Sequence, residues 1–183
     1  MKFIKMPLKD AYLIKPDPTL DERGFFERLF CQKEFKKIGF KKTIVQINCS
    51  FTRKKGTIRG MHYQKPPHIE GKIISCLEGE VFDCIIDLRQ KSSTFLKWHG
   101  EVLSAKNHKM IYIPEGFAHG FQTLRDNCCM LYLHTDFYHK QSEEGIKYDD
   151  PLFNIRWPQK IIDISIKDRN LSYLSQKFKG LKL

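Results

Sequence analysis

The chain lacks any apolar run long enough to cross a membrane. No uninterrupted apolar stretch of 18 residues occurs among its 183 residues, whereas a membrane-spanning helix needs about 20. The opening residues, Met1-Lys2-Phe3-Ile4-Lys5-Met6-Pro7, also lack the long apolar segment of a secretory signal. We therefore expect a soluble, cytoplasmic protein with no membrane partner.

Cysteine patterns typical of disulfide frameworks or zinc sites are absent. The six cysteines form no C-x-x-C pair, and no cysteine and histidine have the spacing of a structural zinc site. Most of the cysteines lie among Ile, Val and Leu, as small apolar residues do. The sequence therefore predicts free, buried thiols.

Motifs of nucleic-acid-binding proteins are also missing, although the chain is basic. Its 32 basic and 21 acidic residues give a formal net charge of +11, which favours an anionic partner. The basic residues are spread along the chain, with no helix-turn-helix, RNP or zinc-finger pattern. We interpret most lysines as a solvated background and expect no nucleic-acid partner.

No linker, internal repeat or low-complexity segment divides the chain, so one domain covering residues 1–183 is expected. Helical periodicity is absent between residues 43 and 135. Turn signals recur there at the spacing of about 8–12 residues that all-β folds show, including Glu78-Gly79-Glu80 and Ala105-Lys106-Asn107. The predicted strands are Thr43–Ser50, Thr57–Tyr63, Lys72–Glu78, Glu80–Leu88, Lys97–Leu103, Lys109–Ile113, Gly120–Leu124 and Cys128–Thr135.

This pattern predicts an all-β double-sheet jelly roll with a pocket in its interior. Prolines in the first 20 residues exclude a long helix and favour an edge strand. Gly24 leads into another short strand, and residues 32–38 form one short helix with Gly39 as its C-cap. Loops and a short helix beyond residue 140 are expected to cover the barrel.

A metal site is the first chemical alternative for the pocket. Pro114 to His119 has the P-x-G-x-x-H form of the second cupin motif, whereas the first motif, normally H-x-H in metal-binding cupins, is His62-Tyr63-Gln64. Two imidazoles fall short of the three protein ligands of a catalytic zinc or iron site. We therefore expect a metal-free pocket, and a metal-dependent cupin that uses His62, His119 and a distant carboxylate remains the alternative.

Acid and base groups are the second chemical alternative. An imidazole such as His62 exchanges protons near neutral pH, and Arg59 beside it is suited to binding an anion. A strand register of two would place Gly60 and His62 on one face. Four other histidines are expected to be hydrogen-bonded core or rim residues; they are His68, His99, His108 and His139.

Three further side chains have an ordinary and a chemical interpretation. Lys72 opens an apolar strand, where its ammonium lies either in water or in the pocket as a stabiliser of negative charge on oxygen. Tyr132 lies in an apolar strand and needs a partner for its hydroxyl if it is buried. Asp168 is able to orient an imidazole, although nothing in the local sequence brings it to His62.

Together these residues resemble the dTDP-4-dehydrorhamnose 3,5-epimerase family, metal-free cupins that act on nucleotide-linked 4-keto sugars. The resemblance runs from about residue 3 to residue 170. Its motifs include Asp21 to Glu27, Gln46-Ile47-Asn48, Gly56 to Gln64, Gly79 to Asp83, Asp87-Leu88-Arg89, Ile113 to Phe121, Thr135 to Tyr138 and Asp149-Asp150-Pro151. Cys49 stands where the family usually has histidine, and Glu70 where it often has glutamine.

The resemblance implies a cupin jelly roll, or double-stranded β-helix, with a few short peripheral helices. It also implies a role for each catalytic residue: His62 as the base, Asp168 holding its tautomer, Lys72 stabilising the enolate oxygen and Tyr132 returning a proton from the opposite face. No cofactor is implied.

Binding residues follow from the same resemblance. Residues implied to lie near the substrate are Gln46, Asn48, Arg59, His119, Tyr138, Glu143 and Lys167. Arg23 and Phe26 are implied to be lent to the active site of a neighbouring subunit, hence a homodimer. The implied substrate is a dTDP-linked 4-keto-6-deoxy sugar. A GDP-linked 4-keto heptose, epimerisation at only one carbon, and a non-catalytic sugar-nucleotide binder remain alternatives.

Overall fold

The computed structural model describes all 183 residues and is built mainly of strands. Fourteen strands, two short α-helices and one 3₁₀ helix at Lys36–Ile38 follow one another along the chain. The strands are β1 (Lys2–Lys5), β2 (Tyr12–Lys15), β3 (Thr19–Asp21), β4 (Gly24–Phe26), β5 (Gln46–Thr52), β6 (Thr57–Gln64), β7 (Lys72–Glu78), β8 (Glu80–Asp87), β9 (Trp98–Ser104), β10 (Met110–Ile113), β11 (Phe117–Thr123), β12 (Cys128–His134), β13 (Glu143–Gly145) and β14 (Asp163–Ile164); the helices are α1 (Gln32–Phe35) and α2 (Ile166–Arg169).

Two antiparallel sheets form the body of the molecule. The first has the strand order β1-β2-β10-β7-β12-β5, and the second has the order β13-β6-β11-β8-β9, with β14 added beside β6 in parallel. Strands β3 and β4 form a separate hairpin. The crossed strand order is that of a double-sheet jelly roll, which confirms the predicted all-β cupin fold.

The two sheets enclose an apolar core at one end of the barrel. Ile74 and Met130 of the first sheet belong to the same buried cluster as Ile85, Leu103 and Phe121 of the second. Their side chains alternate along each strand with residues that face outward, as strand geometry requires. The other end of the barrel is left for polar side chains.

Peripheral segments cover the outer faces of both sheets. Helix α1 continues into the 3₁₀ turn and ends at Gly39, whose φ of 80° makes it the predicted C-cap. Phe35 and Phe40 from this segment pack on the outside of the first sheet. Beyond residue 140, Ile146, Phe153 and Leu181 pack on the second sheet, and α2 is the expected short helix.

Several sequence-based predictions differ from the structure. The first 20 residues hold two paired strands rather than one edge strand. Strand β11 starts three residues before Gly120, because the turn ends at Gly116, whose φ is 81°. In the turn after β9 the left-handed residue is His108, not Asn107.

All six cysteines are free thiols, as predicted, but they are not all buried. Cys49 is exposed, and Cys31 and Cys129 are half-buried. Ile47 and Phe51, the alternate neighbours of Cys49 on β5, are exposed as well, so this part of the sheet is open to solvent. Among the helices, none is long and apolar enough to span a membrane.

Candidate active site

A cavity of about 740 Å³ opens between the two sheets at the polar end of the barrel. Strands β5, β6, β7, β11 and β12 form its walls, and residues from 138 to 168 form its mouth. Ten of the residues predicted from the sequence line it: Asn48, Arg59, His62, Lys72, His119, Tyr132, Tyr138, Glu143, Lys167 and Asp168.

His62 and Asp168 meet in this cavity. Ser165 caps α2 by accepting a hydrogen bond from the Asp168 amide at 3.0 Å, which places the Asp168 carboxylate over β6. Its Oδ1 lies 2.7 Å from His62 Nε2, and its Oδ2 accepts the Gly60 amide at 3.1 Å. Burial alone would raise the pKa of Asp168, but these hydrogen bonds and the His62 imidazole hold it below its ordinary value.

The ionised carboxylate fixes the tautomer of His62. A carboxylate only accepts hydrogen bonds, so Nε2 carries the proton and Nδ1 presents a free lone pair. The side chain of His62 is about one-third exposed, whereas that of Asp168 is buried. This arrangement suits an imidazole that takes a proton from a molecule in the cavity.

A β-bulge in β6 brings Arg59 to the same face as His62. His62 pairs with His119 and Arg59 pairs with Phe121, so three steps on β6 match two steps on β11. The extra residue in β6 shifts the inward and outward alternation of its side chains between Arg59 and His62. The sequence prediction that Gly60 and His62 share a face is therefore wrong, because simple alternation does not hold across the bulge.

The bulge depends on two glycines in contact. A Cβ atom on Gly60 would lie 2.6 Å from the His119 carbonyl oxygen and 2.7 Å from the Gly120 Cα, and its φ is 102°. A Cβ atom on Gly120 would lie 2.6 Å from Met61 Sδ. Only glycine accepts both this positive φ and these close contacts at position 60. This explains why a glycine lies two residues before the candidate base His62.

Lys72 lies in the cavity, not in bulk water. It is 8% exposed, and its Nζ lies 2.9 Å from Glu70 Oε1. The other oxygen of Glu70 lies 2.6 Å from His134 Nδ1. Burial alone would raise the pKa of Glu70, but His134 and the Lys72 ammonium lower it to about 2. A buried carboxylate therefore holds the ammonium in place.

Tyr132 has the hydroxyl partner that its burial requires. Its Oη lies 3.0 Å from Ser50 Oγ, across the β5–β12 pairing. Burial raises the pKa of Tyr132 above its ordinary value, and the Ser50 hydrogen bond opposes this only partly. The phenol is therefore protonated at neutral pH and available as a proton donor.

His119 forms a second imidazole–carboxylate pair. Its Nε2 lies 2.7 Å from Asp83 Oδ2, and both side chains are buried. Asp83 Oδ1 is buried without a hydrogen-bond partner. His62 and His119 face each other across the β6–β11 pairing, but each is held by its own carboxylate.

The mouth of the cavity carries a tyrosine, a carboxylate and a lysine. The Tyr138 hydroxyl donates to Glu143 Oε2 at 2.9 Å, and Lys167 Nζ lies 2.6 Å from Glu143 Oε1. The Tyr138 ring is about half exposed. Gln46 does not line the cavity, but its Oε1 accepts the Tyr138 amide at 3.1 Å and so positions that ring.

Arg23 and Phe26 lie outside the cavity of their own chain. Both are on the β3–β4 hairpin, where Arg23 pairs with Asp21 and its side chain is 82% exposed. Phe26 is 76% exposed. The fold does not bring either side chain to the other predicted site residues.

The sequence analysis assigned no role to four polar residues in or behind the site: Ser50, Glu70, Asp83 and His134. Alternation would have identified two of them. Tyr132 faces inward on β12, so His134 two residues on faces inward as well, and Asn48 and Ser50 are related in the same way on β5. Asp83 and Glu70 have no such signal, because their roles depend on pairing with distant residues.

Comparisons with known proteins point to a single family. The family model described as dTDP-4-dehydrorhamnose 3,5-epimerase matches residues 5–176. A relative of that name from Shigella flexneri is 44% identical over 179 residues, covering 97% of this chain and 96% of the relative.

Solved structures agree. The Bacillus anthracis dTDP-4-dehydrorhamnose 3,5-epimerase, with TDP and PPi bound, superposes with a TM-score of 0.92 at 38% identity and covers 94% of this chain and 99% of its own. A Legionella pneumophila epimerase in complex with dTDP-4-keto-L-rhamnose has a TM-score of 0.90 at 39% identity, covering 94% and 92%. The chain therefore belongs to the dTDP-4-dehydrorhamnose 3,5-epimerase family and is an epimerase.

Proposed function

We propose that this epimerase inverts C3 and C5 of a dTDP-linked 4-keto-6-deoxy sugar by moving protons, with His62 as base and Tyr132 as acid. The observation that carries the proposal is the contact of His62 with the buried Asp168 in a cavity that also holds Lys72 and Tyr132. The product would enter the synthesis of deoxysugar-containing surface polysaccharides.

The chemistry needs a base with one free nitrogen. A proton next to a ketone is removed only when the resulting enolate is stabilised, so base and stabiliser act together. His62 Nδ1 accepts the proton from the carbon, and Asp168 stabilises the imidazolium that forms. When the proton is lost, the electron pair of the C–H bond becomes the C=C bond of the enolate.

Lys72 is the proposed stabiliser of the enolate oxygen. Its ammonium is buried beside Glu70, so a developing negative charge on the ketone oxygen meets a fixed positive charge in a poorly solvated site. Glu70 is shared with His134, which leaves Lys72 protons free for the substrate. We propose Glu70 and His134 as positioning residues for Lys72.

Tyr132 is the proposed acid for the opposite face of the sugar. Protonation of the enolate from the face opposite His62 inverts the carbon, whereas protonation from the same face restores it. Ser50 holds the phenol through a 3.0 Å hydrogen bond. The elevated pKa of Tyr132 keeps the proton on the phenol until the enolate forms.

Basic and aromatic groups around the cavity suit a nucleotide diphosphate. Arg59 is held by Thr52 and the Phe51 carbonyl through Nε and Nη2, which leaves Nη1 for a phosphate oxygen. Asn48, His119 and Lys167 are proposed to bind the sugar and diphosphate. Tyr138, held by Glu143 and Gln46, offers an aromatic ring on which the nucleobase of the substrate can stack.

We also propose a homodimer, because the β3–β4 hairpin that carries Arg23 and Phe26 is exposed. Arg23 and Phe26 are exposed and lie outside their own chain's cavity, and the outer face of β5 exposes Ile47 at 63% and Phe51 at 50%. Exposed apolar side chains of this size favour a protein interface. Pairing two chains would place Arg23 and Phe26 of each at the cavity of the other.

Comparison of turnover with two substrates tests the proposed sugar nucleotide. We expect conversion of dTDP-4-keto-6-deoxyglucose and at most slow conversion of a GDP-linked 4-keto heptose. A strong preference for the GDP-linked sugar would overturn the proposed nucleotide. None of the relatives named above is described as acting on a GDP-linked sugar. The GDP-linked 4-keto heptose therefore remains the alternative substrate that this comparison tests.

A further inference from the structure

Two histidines outside the proposed chemistry lie face to face on segments next to the cavity-lining residues Gln64, Glu70 and Tyr138. His68 belongs to the loop between β6 and β7, and His139 to the segment between β12 and β13. Their ring centroids are 3.3 Å apart and their planes are 15° apart. Neither imidazole makes a side-chain hydrogen bond, so the expectation that these two are hydrogen-bonded residues is wrong.

A carboxylate completes the group. Asp136 Oδ2 lies 3.6 Å from His68 Nδ1, too far for a hydrogen bond. Its Oδ1 accepts the Phe137 amide at 2.8 Å, which leaves Oδ2 free. One ligand atom from each of His68, Asp136 and His139 lies within 4.8 Å of the other two, and all three residues are half-buried.

The backbone around the three side chains is fixed by hydrogen bonds between the two loops. Gln64 is 4% exposed; its Oε1 accepts the His139 amide at 2.6 Å, and its Nε2 donates to the Phe137 carbonyl at 3.0 Å. The Gly71 amide donates to Thr135 Oγ1 at 2.7 Å, and the Thr135 amide donates to the Gly71 carbonyl at 3.0 Å. These hydrogen bonds therefore hold the backbone segments that carry His68, Asp136 and His139 next to each other before any metal ion binds.

The chemistry of the three side chains matches that of a metal site. Imidazole nitrogens and a carboxylate oxygen are the ligands that zinc and its neighbours in the first transition row bind. The unused Oδ2 of Asp136 lies 3.6 Å from His68 Nδ1.

We propose that His68, Asp136 and His139 form a binding site for a divalent transition metal of the Zn²⁺ class, with solvent completing the coordination. A tetrahedral Zn²⁺ ion with bonds of about 2.0–2.1 Å places its ligand atoms about 3.3 Å apart, so the side chains draw together by at most about 1.5 Å. A metal ion lies in the plane of each imidazole that binds it, so the two rings, whose planes are 15° apart, must also turn out of their stack. Rotation of a histidine ring about χ2, a soft torsion, supplies this movement.

The site would connect the two loops that flank the cavity mouth. Tyr138, which lines the cavity, lies between Asp136 and His139 in the sequence. A bound metal would therefore brace the segment that carries Tyr138 against the loop that leads to Glu70 and Lys72. This role is separate from proton transfer at His62 and does not depend on the proposed substrate.

Zinc titration of the chelator-treated protein tests the site. We expect one Zn²⁺ per chain by isothermal titration calorimetry and a rise in Tm on adding ZnCl₂. The variants His68→Gln and His139→Gln should fold normally without metal, bind Zn²⁺ at least tenfold more weakly and lose the rise in Tm. His99→Gln, at a histidine 3.8 Å from Glu101, is the matched control and should behave as the unmodified protein.

Two further variants separate this site from other metal ligands. Cys49→Ser removes one thiol of the Cys49–Cys129 pair, whose sulfurs lie 3.1 Å apart, and His62→Asn removes the candidate base. Both should still bind Zn²⁺ with unchanged affinity. No zinc binding by the chain, unchanged binding in His68→Gln and His139→Gln, or binding lost in Cys49→Ser or His62→Asn would each overturn the proposal.

Discussion

His62 and Asp168 lie 106 positions apart in the sequence, and yet His62 Nε2 lies 2.7 Å from Asp168 Oδ1. The Asp168 carboxylate also accepts the amide of Gly60, two residues before His62. One carboxylate thus holds both the backbone and the side chain of the strand that carries the candidate base. This relationship links the short helix α2 to the candidate base.

Removal of the Asp168 charge should weaken His62 as a base and have a smaller effect on substrate binding. In Asp168→Asn the amide no longer stabilises the imidazolium, so we expect kcat to fall by about 10²–10⁴-fold with a smaller change in KM. Steady-state kinetics with a dTDP-linked 4-keto sugar measures both. Asp163→Asn, an exposed position on β14, is the control; an Asp168→Asn enzyme as active as that control would contradict the role of Asp168.

Removal of the Tyr132 hydroxyl should separate proton exchange from inversion. In Tyr132→Phe, His62 still removes and returns protons on its own face, so solvent deuterium enters the substrate while inversion falls by about 10²-fold or more. NMR of the recovered sugar nucleotide distinguishes the two events. Tyr112→Phe removes the hydroxyl of a half-buried tyrosine outside the cavity and should leave inversion intact. If Tyr132→Phe inverts equally well, Tyr132 is not the acid.

Acid stability should depend on Glu70. Its pKa of about 2 lies below its ordinary value of 4.5, so the folded state favours the ionised form. This stabilisation is fully present above about pH 4.5 and is lost as the pH falls towards 2.

Glu70→Gln should therefore show a smaller fall in Tm than the unmodified protein when the pH is lowered from 6 to 3. Glu144→Gln removes a carboxylate from an exposed pair with Lys65 and serves as the control, with a pH dependence close to that of the unmodified chain. An equally steep acid-side fall in Glu70→Gln would show that the buried Glu70–His134–Lys72 group is not responsible.

The bulge in β6 should not tolerate a side chain at position 60. Gly60→Ala combines a φ of 102° with contacts of 2.6 and 2.7 Å to backbone atoms of β11, and we expect it to lower the free energy of unfolding by about 1–3 kcal/mol and to reduce activity. Urea unfolding measures the first effect. Gly39→Ala shares a positive φ of 80° but has no atom within 4 Å of the added Cβ, so its loss should be smaller; equal losses would mean that the contacts carry no energy.

The proposed exchange of residues between subunits has its own test. Arg23→Ala and His62→Asn should each have low activity alone. If Arg23 serves the partner's cavity, mixing the two variants under conditions that exchange subunits restores part of the activity, because one site in each mixed dimer has both side chains. No recovery in mixed dimers shown to form by mass spectrometry would place Arg23 in its own chain's site or outside any site.

Most of the barrel was predictable because its strands obey a local rule. Alternating side chains and turn glycines such as Gly79 mark β7 and β8 in the sequence, and the predicted and observed boundaries there differ by at most one residue. The bulge at Gly60 was not predictable, because it depends on the register between β6 and β11. A strand pattern alone does not contain that register.

The site residues show the same difference between local sequence patterns and contacts made across the fold. His62, Tyr132 and Lys72 lie in strands whose patterns and family resemblance identify them. Their partners, Asp168, Ser50 and Glu70, are fixed by contacts across the fold, and only the resemblance pointed to Asp168. The stack of His68 on His139 had no sequence signal at all, since two loops far apart in the chain meet only in the folded molecule.

Deuterium incorporation tests the central claim most directly. The protein is incubated in D₂O with dTDP-4-keto-6-deoxyglucose, and C3 and C5 are followed by NMR. We predict incorporation at both carbons with inversion, and loss of incorporation in His62→Asn but not in His99→Asn. No incorporation at either carbon, or incorporation at the full rate in His62→Asn, would contradict the account.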